Sequence, residues 1–323
     1  EADQARLTFR HALLRDTAYQ SLWERDRRRM HRVVADVLKA QFSSLVERQP
    51  ELLAYHQGQA GDHEAALEQW QAAARQAVAR SANDEAITHL EAGLDALAQL
   101  PAGQPRDRAE LKLQTLLAAR CMAAEGYGAE RVERVYARAS ALAERLSDHR
   151  TQVKVDLGLH AWHFMHAHFG RAHQIAQRAL AAAAEAAADP MARIQARWSV
   201  GITLWHQGQL PQAVKLMDEC LQDYQPQMHR PGAVQDPGVM CLCYSSWGCW
   251  ELGRPDEAVQ RVQRALALAD QLNHRFSQGL SLGFAASVHH FRGETDAALD
   301  AARRAVLVCD EGGFTTWLAH ARM

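Results

Sequence analysis

Lysine is scarce in this sequence: four of the 36 basic residues are lysines, and all the others are arginines. Each lysine follows a leucine or a valine, so none stands in a Gly-Lys-Ser/Thr motif. That motif holds nucleotide phosphates with its lysine and its backbone amides, and the sequence therefore lacks a phosphate-binding loop of this kind. Runs of about 20 uninterrupted apolar residues are also missing, which excludes a typical transmembrane helix.

Charge and cysteine content exclude further classes of protein. The 36 basic and 38 acidic residues give a net charge of −2, so no overall field attracts nucleic acid or an anionic membrane. Six cysteines in 323 residues are too few for a disulfide scaffold, and no secretory signal opens the chain. We therefore expect a cytoplasmic protein with no nucleic-acid and no membrane partner. Because it starts at Glu1 and stops at Met323 within a helical pattern, we also expect a piece of a longer chain.

The abundant residues predict helices. Ala, Leu, Arg, Gln and Glu dominate, and all five are strong helix formers. Glycines and prolines interrupt the sequence at intervals. The runs between them, of about 12–22 residues, carry apolar residues three and four positions apart, which is the period of a helix. Strand-like alternation occurs only in residues 6–10, so we predict an all-α fold with one short strand at the N-terminus.

One spacing of small and apolar residues recurs along the chain. A small residue is followed seven positions later by glycine, and then, 12, 16 and 19 positions later, by small or larger apolar residues. Small residues let two antiparallel helices approach closely, and glycine ends the first of them in a left-handed turn. The segments with this spacing are 54–73, 201–220, 246–265 and 286–305.

This spacing resembles the tetratricopeptide repeat, which is a pair of antiparallel helices. The resemblance implies a right-handed α-solenoid built from such pairs. The turn glycines expected in its second half, Gly170, Gly208, Gly253 and Gly293, are 38, 45 and 40 residues apart. A standard repeat is about 34 residues long, so the pairs are irregular, and another type of α-solenoid is the alternative.

The most specific motif is Phe-Arg-His-Ala-Leu-Leu-Arg-Asp-Thr-Ala-Tyr, in residues 9–19. It resembles the end of the winged-helix module in signal-transducing ATPases with numerous domains, and the phrases at 49–56 and 79–87 strengthen this likeness. Together they look like bacterial proteins that join a class III adenylate or guanylate cyclase to an AAA-type ATPase domain and a tetratricopeptide tail. In that family the motif histidine contacts the β-phosphate of ADP. The role would fall on His11, although Ala12 stands where the family has an acidic residue.

The resemblance also implies an organisation and a function. Residues 1–46 would end the winged-helix module and add a connecting helix, 47–148 would form irregular helical repeats, and 149–323 tetratricopeptide-like repeats. This chain would be a non-enzymatic regulatory scaffold without a cofactor, and the parent protein would bind ATP or ADP with magnesium. The upstream ATPase domain would be one of its partners. Similar tails occur on LuxR-type activators and Ser/Thr kinases, so a sensor of a small inducer is the alternative function.

Two motifs suggest chemistry but fit helices better. The Gly-Leu-Ser-Leu-Gly of residues 279–283 matches a hydrolase nucleophile elbow, which needs a strand-to-helix turn, whereas here it lies within a predicted repeat helix. Several histidines stand three apart and could chelate one metal ion from adjoining turns. No HExxH pattern accompanies them, so we predict a His-rich helix face and no metal site. These histidines are His160, His163, His166, His168 and His173.

Cysteines and arginines also form local clusters. Cys241, Cys243 and Cys249 share one predicted helix, and we interpret them as small residues of the core.

The arginines of a second cluster could contact phosphate. Glu24 and Asp26 alternate with them, which favours a solvated helix face or a contact with the upstream domain. The cluster consists of Arg25, Arg27, Arg28, Arg29 and Arg32.

The predicted binding surface is a groove lined by the first helix of each repeat in the second half of the chain. Four of the eight tryptophans belong to it, and tryptophan suits the recognition of a peptide or a sugar. We predict that the groove binds a protein or peptide; the alternative is that its rings fill the space between helix pairs. We predict no catalytic residue. The groove residues are His160, Phe164, His168, Trp198, Trp205, His206, Trp247, Trp250, Glu251, His290 and Phe291.

Overall fold

The structure is a computed structural model that describes residues 12–126, 128–186, 190–229 and 235–323. Within these ranges the chain forms seventeen α-helices, one short 3-10 helix and no strand, which confirms the predicted all-α class. None of these helices is both long enough and apolar enough to cross a bilayer. His11 and the strand predicted at 6–10 lie outside the described residues.

The chain divides into two compact units, residues 1–142 and residues 143–323. The predicted segments 1–46, 47–148 and 149–323 differ from this division and stay predictions. The helices that begin in the first unit are α1 Ala12–Ser21, α2 Glu24–Gln41, α3 Ser43–Arg48, α4 Pro50–Ala60, α5 His63–Ala79, α6 Asn83–Ala98, α7 Gln104–Glu125 and α8 Glu130–Arg145. The helices of the second unit are α9 His149–Met165, α10 Phe169–Glu185, α11 Pro190–His206, α12 Leu210–Asp223, α13 Pro237–Glu251, α14 Pro255–Gln271, α15 Arg275–Phe291, α16 Thr295–Gly312 and α17 Thr315–Arg322.

In the first unit, helices that follow one another in sequence also pack against one another. This holds for α4 to α7, and α2 packs on α4. The α4–α5 turn shows why the chain reverses there: Gly61 adopts a left-handed φ of 87°, and Asp62 accepts a hydrogen bond from the Ala65 amide at 3.3 Å. The small residue predicted at the closest approach of these helices, Ala54, is fully buried.

The second unit is a stack of antiparallel helix pairs, α9/α10, α11/α12, α13/α14 and α15/α16, closed by α17. Each second helix lies between its own first helix and the first helix of the next pair. The chain is thus a tetratricopeptide-like α-solenoid, as predicted from the recurrent spacing. The handedness implied by the resemblance stays a prediction.

Positive-φ residues form the turns between helices, and one of them is not the residue that we predicted. Gly208, Gly253 and Gly293 each adopt a left-handed φ of 75° at the expected turns. The turn between α9 and α10 uses Ala167, with a φ of 56°, whereas Gly170 lies inside the first turn of α10. The prediction of Gly170 as a turn glycine was therefore wrong.

Small residues bring the helices of the second unit together. A Cβ on Gly201 would lie 3.5 Å from the Met217 side chain, and a Cβ on Gly279 only 2.6 Å from Cys309 Sγ. All six cysteines of the chain are free and buried, which confirms the interpretation of Cys241, Cys243 and Cys249 as core residues. They are Cys121, Cys220, Cys241, Cys243, Cys249 and Cys309.

Candidate partner-binding face

The first helices of the second unit, α9, α11, α13, α15 and α17, contact one another in order along the stack. The surface that they share is called the first-helix face below. All predicted groove residues except His168, which is the N-cap of α10, belong to the first helices. The sequence offsets therefore selected residues of one layer of helices, as expected for a two-layer repeat.

An aromatic row connects the first helices. Its successive ring centroids are 4.8 Å apart for Phe164–His206, 5.0 Å for His206–Trp205 and 6.0 Å for Trp205–Trp247. It continues through Phe284, at 4.1 Å from Trp247, to Trp317, at 5.6 Å from Phe284. Distances of this size are those of attractive aromatic pairs. The row consists of Phe164, Trp205, His206, Trp247, Phe284 and Trp317.

The middle of this row contains two indole N–H groups that have no partner within the described part of the chain. The Nε1 atoms of Trp205 and Trp247 are both buried, and neither makes a hydrogen bond to a described residue. Next to this pair, Gly248 lets α13 pack closely on α12, because a Cβ there would be 2.7 Å from Val214 Cγ2. A buried donor without an acceptor costs free energy, so these two indole N–H groups are unsatisfied polar groups within the aromatic row.

A second aromatic group lies at the C-terminal ends of α13 and α15. The rings of Trp250 and Phe291 stack with centroids 5.6 Å apart and planes inclined by 27°. Phe291 is 44% exposed, and the neighbouring His290 and Glu251 are exposed as well. Partial desolvation raises the pKa of the Glu251 carboxyl. This group therefore combines an accessible apolar stack with an acidic and a basic side chain.

His160 and Trp198, both predicted in the groove, are less exposed than Phe291. His160 is 6% exposed, and its Nε2 lies 3.0 Å from Thr203 Oγ1. Burial lowers the pKa of His160 to about 4, which keeps the imidazole neutral near pH 7. Trp198 is half-buried and contacts the ring of Tyr244 at 5.4 Å. These two residues connect helices within the stack.

Three histidines of the predicted His-rich face, His163, His166 and His168, lie at the turn between α9 and α10. His166 stacks on Trp162 at 4.0 Å, and the rings of His163 and His168 are 5.7 Å apart. Desolvation lowers the pKa of His163, and the neighbouring His168 contributes to the shift. No group of three or more His, Cys, Asp or Glu side chains in the described ranges is arranged to hold a metal ion.

Ser281 does not form a nucleophile elbow. It lies in the middle of α15, is fully buried, and donates a hydrogen bond to the Ser277 carbonyl at 2.8 Å. A serine held in this way by its own helix is not presented to a substrate. Gly279 of the motif serves the close contact with Cys309 on α16 described above.

Sequence reasoning missed several aromatic residues of this layer. Tyr244 touches Trp198, Trp205 and Trp247, and Phe284 fills the space beside Trp247. Tyr244 precedes Trp247 by three positions, so helical spacing could have placed both on one face. Trp317 lies on α17, for which no complete repeat spacing was visible.

Comparison with known proteins indicates the fold only. No protein-family model matches this sequence, and no curated protein matches it. Among solved structures, the apo form of RapI is 11% identical, covers 80% of this chain and 95% of its own, and has a TM-score of 0.62. A Rap protein complexed with competence and sporulation factor is 12% identical, covers 98% of this chain and 86% of its own, and has a TM-score of 0.50.

A third similar structure is a signal transduction ATPase with numerous domains and a tetratricopeptide repeat sensor, PH0952 from Pyrococcus horikoshii. It is 14% identical, has a TM-score of 0.52, and its match covers 88% of this chain but only 45% of its own. The three likenesses agree with a tetratricopeptide-like helical repeat.

Proposed function

We propose that this chain is a non-enzymatic regulatory segment whose second unit binds a protein or peptide on the first-helix face. The observation that carries the proposal is the exposed Trp250–Phe291 stack beside Glu251 and His290. Such a group offers a partner a large apolar area together with a carboxyl and an imidazole group whose hydrogen bonds can fix its orientation. That a Rap protein of similar fold was solved with competence and sporulation factor supports the use of such a fold to hold a partner.

A peptide selection tests this proposal without knowledge of the partner. A displayed random-peptide library would be selected on the whole chain, and the enriched peptides would be measured by fluorescence anisotropy. The double variant Trp250→Ala/Phe291→Ala should bind them at least about tenfold more weakly, because it loses the central apolar contact. The matched control is Leu299→Ala, since Leu299 is also 45% exposed but lies on the second helix α16.

Three results would contradict the proposal: no enriched peptide, equal binding by the double variant, or an equal loss in the control. The alternative function, a sensor of a small inducer, is tested by titrating the same proteins with a metabolite panel and following their tryptophan fluorescence. A metabolite response that the double variant loses, without any peptide binding, would favour the sensor of a small inducer.

We further propose that this chain is the tail of a larger signalling ATPase, with an adenylate or guanylate cyclase as the output domain. The support is the likeness of residues 9–19 to the family motif and the fold shared with PH0952. In that parent, ATP or ADP and magnesium would bind upstream, and His11 would sense the nucleotide state. Sequencing of the reading frame upstream of Glu1 tests the parent. His11→Ala should speed ADP release from it, and unchanged ADP retention would refute the role of His11.

A further inference from the structure

The helix α2 in the first unit has three distinct faces. One face carries the buried residues His31 and Ala35 and packs on α4. The rest of the helix is solvent-exposed, and it divides into an apolar side and an arginine side. At 100° per residue the apolar side is separated from the packed face, whereas the arginine side borders that face and contacts α4 through Arg32.

The apolar side is a stripe of five exposed residues. Trp23 is 82% exposed, Met30 50%, Val33 57%, Val34 39% and Val37 38%. Trp23 is the N-cap of α2, and within the helix Met30, Val33 and Val37 follow one another at intervals of three and four. This is the spacing with which one helix meets another along a seam. These five residues are called the apolar stripe below.

The arginine side borders a cleft of about 590 Å³ between α2 and the C-terminal end of α4. Arg28 forms an ion pair with Glu24 at 2.7 Å, and Arg32 donates to the Ala60 carbonyl at 3.2 Å. Within α2 as a whole, six basic residues face three acidic ones, so this helix carries a net charge of +3 in a chain of net charge −2. The arginines that line the cleft are Arg25, Arg28, Arg29 and Arg32.

We propose that α2 is a docking site for an acidic amphipathic helix of another protein. The apolar residues of that helix would cover the apolar stripe, and its carboxylates would enter the arginine-lined cleft. Guanidinium groups bind carboxylates in a fixed, often bidentate geometry, so the cleft selects an acidic partner and fixes its direction. This site is separate from the first-helix face, and it does not rest on the function proposed above.

Two other occupants fit the surface less well. A second copy of α2 would bring two helices of net charge +3 together, and like charges oppose such a contact. A membrane surface would need cations around the apolar residues, whereas Asp26, one turn before Met30, places a carboxylate beside the apolar stripe. An acidic helix satisfies both the apolar and the cationic side.

The proposal can be tested with designed peptides and the whole chain. The probe is a labelled amphipathic peptide of about three heptads with leucines on one face and glutamates on its flanks, and its matched control carries lysines instead. The acidic peptide should bind with an affinity that falls with added salt, and the lysine peptide should not bind. The double variant Arg25→Glu/Arg29→Glu should bind the acidic peptide at least about tenfold more weakly and should bind the lysine peptide.

The apolar stripe is tested by Val33→Ser/Val37→Ser, with Leu307→Ser on α16 as the control, since Leu307 is 63% exposed. Only the stripe variant should lower the affinity for the acidic peptide, by about tenfold. Circular dichroism melts would establish that all variants fold, as expected for exposed sites. Equal binding of both peptides, or binding that neither α2 variant changes, would overturn the proposal. A dimer in sedimentation that the stripe variant dissolves, or binding only to anionic phosphatidylserine vesicles, would overturn it in favour of a second copy or a membrane.

Discussion

The indole rings of Trp205 and Trp247 lie with their centroids 6.0 Å apart on neighbouring first helices, and each has a buried Nε1 without a partner among the described residues. Gly248, next to Trp247 in sequence, lies where α13 packs closely on α12. A Cβ at this position would lie 2.7 Å from Val214 Cγ2, and an ordinary 3.7 Å from the Trp205 ring. The helix contact beside the aromatic row therefore requires a residue that has no side chain.

We expect Gly248→Ala to lower the free energy of unfolding by about 1–3 kcal/mol, because an added methyl group overfills a closely packed site. Denaturant titration followed by circular dichroism would measure this change. Gly170→Ala is the matched control: nothing lies within 4 Å of its Cβ position on α10, so it should stabilise by about 0.5 kcal/mol. A neutral Gly248→Ala would mean that the row tolerates a shift of α13.

The α9–α10 turn offers a stabilising substitution. Ala167 has a φ of 56°, a conformation in which an L side chain is strained and glycine is not. Ala167→Gly should therefore raise the free energy of unfolding by about 0.5–1 kcal/mol. The reverse change at the equivalent turn, Gly208→Ala, should lower it by a similar amount, since Gly208 has a φ of 75°. Thermal melts of the two variants should shift in opposite directions.

Acid should destabilise the second unit through His160. Because the pKa of this buried histidine falls to about 4 on folding, from 6.5 in the unfolded chain, the unfolded state binds the proton first. The stability linked to His160 is complete above pH 6.5 and decreases as the pH falls towards 4, by about 3 kcal/mol in total. His160→Gln should flatten the pH dependence of denaturant unfolding in this window. An unchanged slope would show that His160 is hydrated in solution.

Asp156 and Arg178 form an ion pair in which the carboxylate is buried and the guanidinium is partly exposed, so removing either partner should have a different cost. Its side chain is fully buried and accepts two hydrogen bonds from Arg178, at 2.7 and 2.8 Å, whereas the Arg178 side chain is 37% exposed. Arg178→Ala would leave a buried charge without its cation and should cost about 3–5 kcal/mol. Asp156→Ala should cost less, because the guanidinium can still reach water. Equal losses in denaturant titrations of the two variants would contradict this reasoning.

Much of the fold could be predicted from residues whose role is local. The glycines at 208, 253 and 293 gave the turns correctly, because a left-handed residue at a helix end favours glycine strongly. Asn273 occupies the same conformation, and asparagine is the usual substitute for glycine there. Ala167 occupies it too, and no local signal distinguishes this alanine from helical residues. Gly170 was consequently mistaken for a turn.

The candidate site was less predictable, because the exposure of each side chain depends on neighbours that are distant in sequence. Helical offsets placed His160 and Phe291 in one layer of helices, but they did not indicate that the first is 6% and the second 44% exposed. His160 is covered because α11 brings Thr203 against it, 43 positions along the chain. The apolar stripe of α2 was likewise missed, because a valine and methionine pattern does not reveal which side of a helix packs.

The six buried cysteines give this protein native reporters of its own motions. A thiol reagent can react only when the helix around a cysteine opens, and burial, which raises the pKa of the thiols of Cys121, Cys243 and Cys309, slows the reaction further. These three residues lie on α7, α13 and α16. Mass spectrometry of a timed alkylation would therefore give opening rates for three separate helices of the unmodified chain. A bound partner would lower the alkylation rate of the cysteines in the helices that it covers.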